Sequence, residues 1–177
     1  AGGGHTHALM LLRWAVRPHL RPKGLITLVN RDSTTIYSGM IPGVISGEYC
    51  LEEAQIDLRQ LASRANVGFI VAEITSLDPD KQKLGLKNRP SIDYTRLSLN
   101  IGSETIPDNQ FLSNKNDHPF IPIKPFFSAV EWIKRNDIQS EADELKPFSV
   151  IGAGHAGLEI VFALRKRWPK RELKLLA

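Results

Sequence analysis

The chain has 177 residues, of which 42% are hydrophobic and 24% charged, and a net charge of +4. This is the composition of an ordinary globular protein of one domain or slightly more, so disorder is not expected. Apolar runs such as Ala8 to Leu12 are too short to cross a bilayer and no signal peptide is visible, so a cytoplasmic protein without a transmembrane segment is expected.

Gly2, Gly3 and Gly4 precede a stretch in which Ala8, Leu11, Leu12 and Ala15 fall at helical spacing, ending before Pro18. This predicts a glycine turn opening a helix. Leu25 to Val29 reads as a strand, which gives the turn, helix, strand order of the first half of a βαβ unit. The strand that should precede the turn is missing, the chain opens without an initiator Met, and Leu173 to Leu176 reads as a strand that stops. A fragment is therefore expected.

Thr34 to Gly47 carries three glycines and a proline among apolar residues and is predicted to be a loop packed near a ligand. Glu52 to Ala65 is predicted to be a helix. Val67 to Leu77, Lys83 to Leu86 and Arg96 to Ile101 are predicted strands, the first two joined at Asp78-Pro79-Asp80. Ser103 to Asp117 is a polar loop or crossover. A helix is predicted from Pro125 through Trp132 toward Arg135, followed by a charged connection from Asn136 to Lys146.

Phe148 to Ile151 is predicted to be a strand that feeds a second glycine turn, and Gly157, Ile160, Val161 and Leu164 trace the buried face of the helix after it. Gly152-Ala153-Gly154-His155-Ala156-Gly157 is a complete G-x-G-x-x-G between that strand and that helix. The first glycine permits the tight turn, the second admits a pyrophosphate close to the backbone, and the third lets the helix pack on the strand. Glu159, by position alone, favours the positive end of the helix dipole. The acidic residue that would hold a ribose falls near or beyond Ala177, so NADH and NADPH are not distinguished. The basic cluster Arg165, Lys166, Arg167, Lys170 and Arg171 is expected to be a solvated helix end, and no nucleic-acid partner is expected.

The first glycine motif, Gly2-Gly3-Gly4-His5-Thr6-His7, keeps two fingerprint glycines and puts His7 where the third should be. A dinucleotide could still be held through Gly2 and Gly4; the alternative is that His5 and His7 only cap and pack the turn. No metal site is expected, since no second ligand cluster accompanies them.

Gly2 to His7, Tyr37-Ser38-Gly39-Met40-Ile41-Pro42-Gly43, Ile56-Asp57-Leu58-Arg59, Leu97 to Ser103, Ile123-Lys124-Pro125 and Gly152 to Gly157 occur in this order across nearly the whole chain. In them the chain resembles the FAD-dependent NADH-dehydrogenase-like proteins of the pyridine nucleotide-disulfide oxidoreductase superfamily. More narrowly, it is similar to the flavoprotein domain fused ahead of selenide, water dikinase in cyanobacteria. The resemblance implies an α/β fold of the two-dinucleotide type: a Rossmann-like FAD-binding domain over 1–145, its first strand missing, and the start of a Rossmann-like NAD(P)-binding domain over 146–177.

The resemblance further implies site residues. Gly2, Gly4 and His5 would hold the FAD pyrophosphate, and Asn30 and Arg31 would lie by the adenosine ribose, where related flavoproteins often have an acidic residue. Backbone groups of Glu73 and Ile74 would face the adenine, while Ser38, Gly39 and Met40 would approach the flavin. Ile101 and Gly102 would close over FAD. Lys124 would be a cation near the flavin or phosphates; the alternative is an exposed lysine before Pro125. Gly152, Gly154, His155, Ala156 and Gly157 would take NAD(P)H, with Glu159 on the nicotinamide side.

Hydride passage from NAD(P)H to FAD needs no side-chain acid or base, so no catalytic residue is expected. With Cys50 as the single cysteine, these 177 residues cannot supply a disulfide acceptor by themselves. A quinone, an electron-transfer protein, dioxygen or a small selenium or sulfur compound then remains as acceptor. Cys50 is expected to be buried and apolar, the alternative being a reactive thiol near the flavin. A different class of function is a non-catalytic FAD or nucleotide-binding module that regulates a fused selenide, water dikinase domain.

Overall fold

A computed structural model describes residues 1–104, 120–137 and 146–177. The chain divides into two compact units, one formed by Ala1–Ile36 and Gln55–Gly102, the other by Tyr37–Ala54 and Ser103–Ala177.

In the first unit, helix α1 (His5–Val16) follows the glycine turn, and strand β1 (Thr27–Asn30) pairs in parallel with β4 (Gly68–Val71). A short antiparallel pair, β2 (Thr34–Ile36) with β3 (Gln55–Asp57), and helix α3 (Leu58–Arg64) make the connection. Strand residues alternate between two faces. Leu28 and Phe69 join Ala8, Leu11, Leu58 and Ala62 in one cluster beneath the two helices. Val29 and Ile70 join Leu84 and Leu86 in another, beneath an antiparallel sheet of β5 (Ile74–Asp78), β6 (Lys83–Leu86) and β7 (Arg89–Asp93).

In the second unit, a 3-10 turn (Ser38–Met40) leads into α2 (Ile41–Ser46), which packs against α4 (Phe126–Arg135) and α5 (His155–Arg167). Strands β8 (Phe148–Ile151) and β9 (Leu173–Leu176) flank α5 and pair in parallel, which completes a βαβ unit. The Phe148 ring packs at 5.2 Å, tilted by 59°, against Trp168, a fully buried ring that also receives the Arg171 guanidinium at 4.5 Å.

Several sequence expectations change. Thr34 to Gly47 is not a loop: Pro42 sits in the first turn of α2, where its missing N–H costs nothing, and Gly47, at φ +86°, ends the helix in a left-handed cap. The helix predicted from Glu52 begins only at Leu58, because Asp57 accepts the Gln60 amide as an N-cap and Gln55–Asp57 is a strand. The strand predicted over Val67 to Leu77 is broken at Ala72 and Glu73, and Leu25 is almost fully exposed ahead of β1. Arg96 to Ile101 is irregular backbone, and the third strand of that sheet is β7 instead. Most of the loop predicted over 103–117 and of the connection over 136–146 lies outside the described residues.

The basic cluster is not simply solvated. Arg171 is buried and donates to the carbonyls of Lys146 and Asn136, and Arg167 donates to Ile45 O and pairs with Asp137. Among the described residues no helix is long and apolar enough to cross a membrane.

Candidate glycine turns

The first turn lies at the carboxyl end of β1. Gly2 N–H donates to Val29 O at 2.8 Å, Asn100 N–H to Ala1 O at 2.8 Å, and Gly4 N–H to Asn100 O at 3.0 Å. The turn is thus threaded between β1 and the segment ending at Asn100, where a doubly wound sheet opens a crevice at its strand ends. Glycine is required here by space and by conformation. Gly2 has φ +85°, and a Cβ at Gly2 would stand 2.4 Å from Asn100 O. At Gly3 it would meet Leu58 Cδ1 at 2.2 Å, and at Gly4 Asn100 Oδ1 at 2.4 Å.

His7 is buried rather than facing outward, with Nδ1 2.6 Å from Gly2 O and Nε2 2.8 Å from Ser98 Oγ. Asn30, at the end of β1, accepts the Gly3 N–H on Oδ1 at 2.8 Å and donates from Nδ2 to Asp32 O at 2.8 Å. Arg31 follows it, exposed and paired with Asp32 at 3.4 Å. Asn30 O accepts the Ala72 N–H, which brings Ala72 and Glu73 to the same strand ends. Glu73 pairs with Lys87 at 2.8 Å; that hydrogen bond and charge, with Arg31 adding less, hold its carboxyl below the usual carboxylate range. Ile101 and Gly102, the latter at φ +80°, are exposed beyond Asn100. The first unit therefore gathers Gly2, Gly4, His5, Asn30, Arg31, Glu73, Ile74, Ile101 and Gly102 near one set of strand ends.

The second turn has the same construction. Gly152, at φ +107°, donates its N–H to Leu176 O at 2.7 Å, and Gly154 caps α5 with extended backbone. Positions 152–156 are exposed, a Cβ at Gly154 would meet nothing within 4 Å, and one at Gly157 would stand 1.8 Å from Gly152 O. His155 and Ala156 open the helix, and Glu159 is exposed in its second turn. Neither α1 nor α5 has an acidic residue in its first turn or a capping side chain of its own Gly N-cap. Neither helix therefore sets an acidic residue of its own first turn against an anion at its positive dipole end. At α1, however, the N–H groups of Gly2, Gly3, Gly4 and His7 are already taken by Val29 O, Asn30 Oδ1, Asn100 O and Asn100 Oδ1. The second turn, open over Gly154, fits a diphosphate.

Ser38, Gly39 and Met40 form the exposed 3-10 turn of the second unit, where the Tyr37 ring covers Gly39 so closely that a Cβ would lie 2.8 Å from it. Lys124 donates to Ser103 Oγ at 2.8 Å and lies 5.7 Å from the Phe126 ring. Cys50 is exposed, contrary to the expectation of an apolar, buried residue; Glu53 Oε2 accepts its backbone N–H, which holds this end of the 51–54 turn at the surface. Ser98 and Asn100 were not singled out in the sequence. The signal for Ser98 was the histidine in a glycine's place, since a buried imidazole needs partners; Asn100 accepts the backbone N–H groups of Gly4 and His7, for which the sequence carries no signal.

The chain is 24% identical over 175 residues to demethylphylloquinone reductase NdbB of Synechocystis, covering 96% of this chain and 42% of that protein. It spans less than half the length of this relative. Reduced Bacillus anthracis CoADR-RHD aligns over 98% of this chain and 31% of its own, with 19% identity and a TM-score of 0.70. The water-forming NADH oxidase from Lactobacillus brevis bound to NADH aligns over 98% and 38%, with 19% identity and a TM-score of 0.61. The fold is the Rossmann-like α/β fold that these solved structures share. No protein-family profile matches the chain.

Proposed function

We propose that the chain is the dinucleotide-binding part of an FAD-dependent NAD(P)H oxidoreductase, with FAD on the first turn and NAD(P)H on the second. One observation carries this reading: each unit contains a glycine turn that opens a helix of at least 12 residues with no acidic residue in its first turn. The order of the two turns matches the resemblance seen in the sequence. The names of the relatives, a reductase of a quinone and an oxidase of NADH, supply the reaction class.

Bound FAD would supply the hydride-accepting and electron-passing chemistry. The chain's own residues orient and hold. Gly2, Gly4 and His5 would present the α1 mouth to one diphosphate, and Gly152, Gly154, His155, Ala156 and Gly157 the α5 mouth to the other. Arg31, Glu73 and Ile74 would surround the adenosine end of FAD, and Ile101 and Gly102 would close over FAD. Ser38, Gly39, Met40 and Lys124 would approach the flavin, and Glu159 the nicotinamide. No residue is assigned as catalytic. For the acceptor, a quinone is favoured by the name of the Synechocystis relative.

The test is an anaerobic titration of the FAD-loaded full-length protein with NADH and with NADPH, followed by flavin absorbance. Bleaching by either nucleotide is expected. A colourless protein that takes up no FAD would sink the reading, and flavin bound but reduced by neither nucleotide would favour a regulatory nucleotide-binding module.

A further inference from the structure

We infer that His7 and Asn30 clamp the Gly2–Gly3 peptide from its two sides and so position the first turn for a diphosphate, Asn30 serving the turn rather than the ribose. This rests on the flavin-binding reading above and assigns to two residues a task that the glycine fingerprint ordinarily leaves to a third glycine.

A trans peptide carries its C=O and N–H on opposite sides. Here both are taken by side chains: Gly2 O faces His7 Nδ1 at 2.6 Å and Gly3 N–H faces Asn30 Oδ1 at 2.8 Å. The chemistry of the partners fixes the clamp. A carbonyl oxygen only accepts, so His7 Nδ1 carries a proton and donates to it; Nε2 lies 2.8 Å from the Ser98 hydroxyl, a group able to donate or accept. By the same logic Asn30 Nδ2 faces Asp32 O, which leaves Oδ1 for the glycine amide. In the second turn, Gly157 closes on the Gly152 carbonyl by having no Cβ. In the first, a buried imidazole bridges the same carbonyl position with a hydrogen bond, so the peptide plane is set by side chains instead of by contact.

The assignment makes Asn30→Asp decisive. A carboxylate that bound ribose would accept its hydroxyls and hold FAD as tightly as the asparagine or more so. In the clamp, the same carboxylate turns an acceptor toward Asp32 O, where a donor is needed, and places negative charge beside the mouth that takes the diphosphate.

FAD affinity of the full-length protein is measured by flavin fluorescence, with amide exchange at Gly3 and the unfolding midpoint followed in the flavin-free protein. Asn30→Asp is expected to bind FAD about 10-fold more weakly or worse. His7→Asn, whose amide nitrogen can replace Nδ1, is expected to keep affinity within about 3-fold, while His7→Gln, which replaces Nε2, loses about 10-fold. Ser98→Ala removes the hydroxyl partner of His7 Nε2 on an exposed residue, where water can take its place, and is expected to lose about 3-fold with an unchanged midpoint. Gly3 exchange is expected to be slow in the wild type and fast in Asn30→Ala. Asn30→Asp that binds FAD as tightly as the wild type, or Gly3 exchange indifferent to residue 30, would overturn the clamp. Wild-type protein that takes up no FAD would instead overturn the flavin reading and the clamp's diphosphate role, while the exchange data would still report on the clamp itself.

Discussion

A β-carbon on Gly157 would stand 1.8 Å from the carbonyl oxygen of Gly152. That oxygen belongs to backbone tied by its own N–H to Leu176 O, so it has little room to yield. Gly157→Ala is therefore expected to push α5 off the turn and lower stability by about 1–3 kcal/mol, the usual cost of overpacking a closed site. Urea unfolding followed by Trp168 fluorescence would measure it. An unchanged midpoint would show that α5 can retreat freely, and the third glycine would lose its structural meaning.

Gly154 makes the opposite case. Its φ of −74° suits any residue, and a Cβ there would meet nothing within 4 Å. Gly154→Ala is expected to unfold within about 1 kcal/mol of the wild type, the scale of an N-cap change. Its methyl would project where a pyrophosphate must approach the backbone, so NADH affinity is expected to fall at least about 10-fold. Calorimetric titration with NADH separates the two effects. Equal affinity in the variant would mean that the second turn holds no dinucleotide.

The elements legible in the sequence were those whose signal is local. Phe148–Ile151, the helix after Pro125 and both glycine turns are set by an apolar run, a proline or a glycine within a few residues, and the structure has them where the pattern put them. Elements decided by distant partners were misread. Gln55–Asp57 becomes a strand because Thr34–Ile36 pairs with it, although its own residues also suit a helix start. Ile41–Ser46 was hidden because Pro42 and the glycines read as loop punctuation, whereas here Pro42 opens a helix and Gly47 closes it. The site was legible in the same measure. The glycines announced themselves, but Ser98 and Asn100 lie more than 90 residues from His7, and the Leu97 to Ser103 segment that contains them does not show that they meet it. Likewise the sequence placed Asn30 by a ribose but could not show that its Oδ1 accepts the Gly3 N–H.

Cys50 has an exposed thiol beside two carboxylates. The Glu53 backbone draws its pKa down, but the Glu53 carboxylate, with Glu52 adding to it, outweighs that and leaves the thiol above its ordinary value. A raised pKa means less thiolate at neutral pH, and the thiolate is the nucleophile. Alkylation by iodoacetamide is therefore expected to be slower than for a free cysteine at neutral pH and to quicken in Glu53→Gln. A rate in the wild type equal to or above that of free cysteine would restore the reading of Cys50 as an activated thiol.

Asp137 ties the end of α5 to the residues after α4. Its carboxylate receives the Arg167 guanidinium, through Nε at 2.5 Å and through Nη2, and the Trp168 indole N–H at 3.0 Å. Partial burial works against the charged form, but the hydrogen bonds from Arg167 and Trp168 and the nearby Arg167 and Arg171 charges outweigh it, so the carboxyl titrates below its usual range. A folded pKa below the unfolded one gives stability that is complete above the unfolded value and is lost as pH falls through the folded one. The second unit is thus expected to lose stability below about pH 4, the ordinary aspartate range. Asp137→Asn should remove this part of the acid dependence and, with the carboxylate over a third exposed, cost only about 1 kcal/mol at neutral pH. Urea midpoints of both proteins from neutral pH downward would measure this. Parallel acid profiles would place the acid sensitivity on other carboxylates and reduce the Arg167 pair to a surface contact.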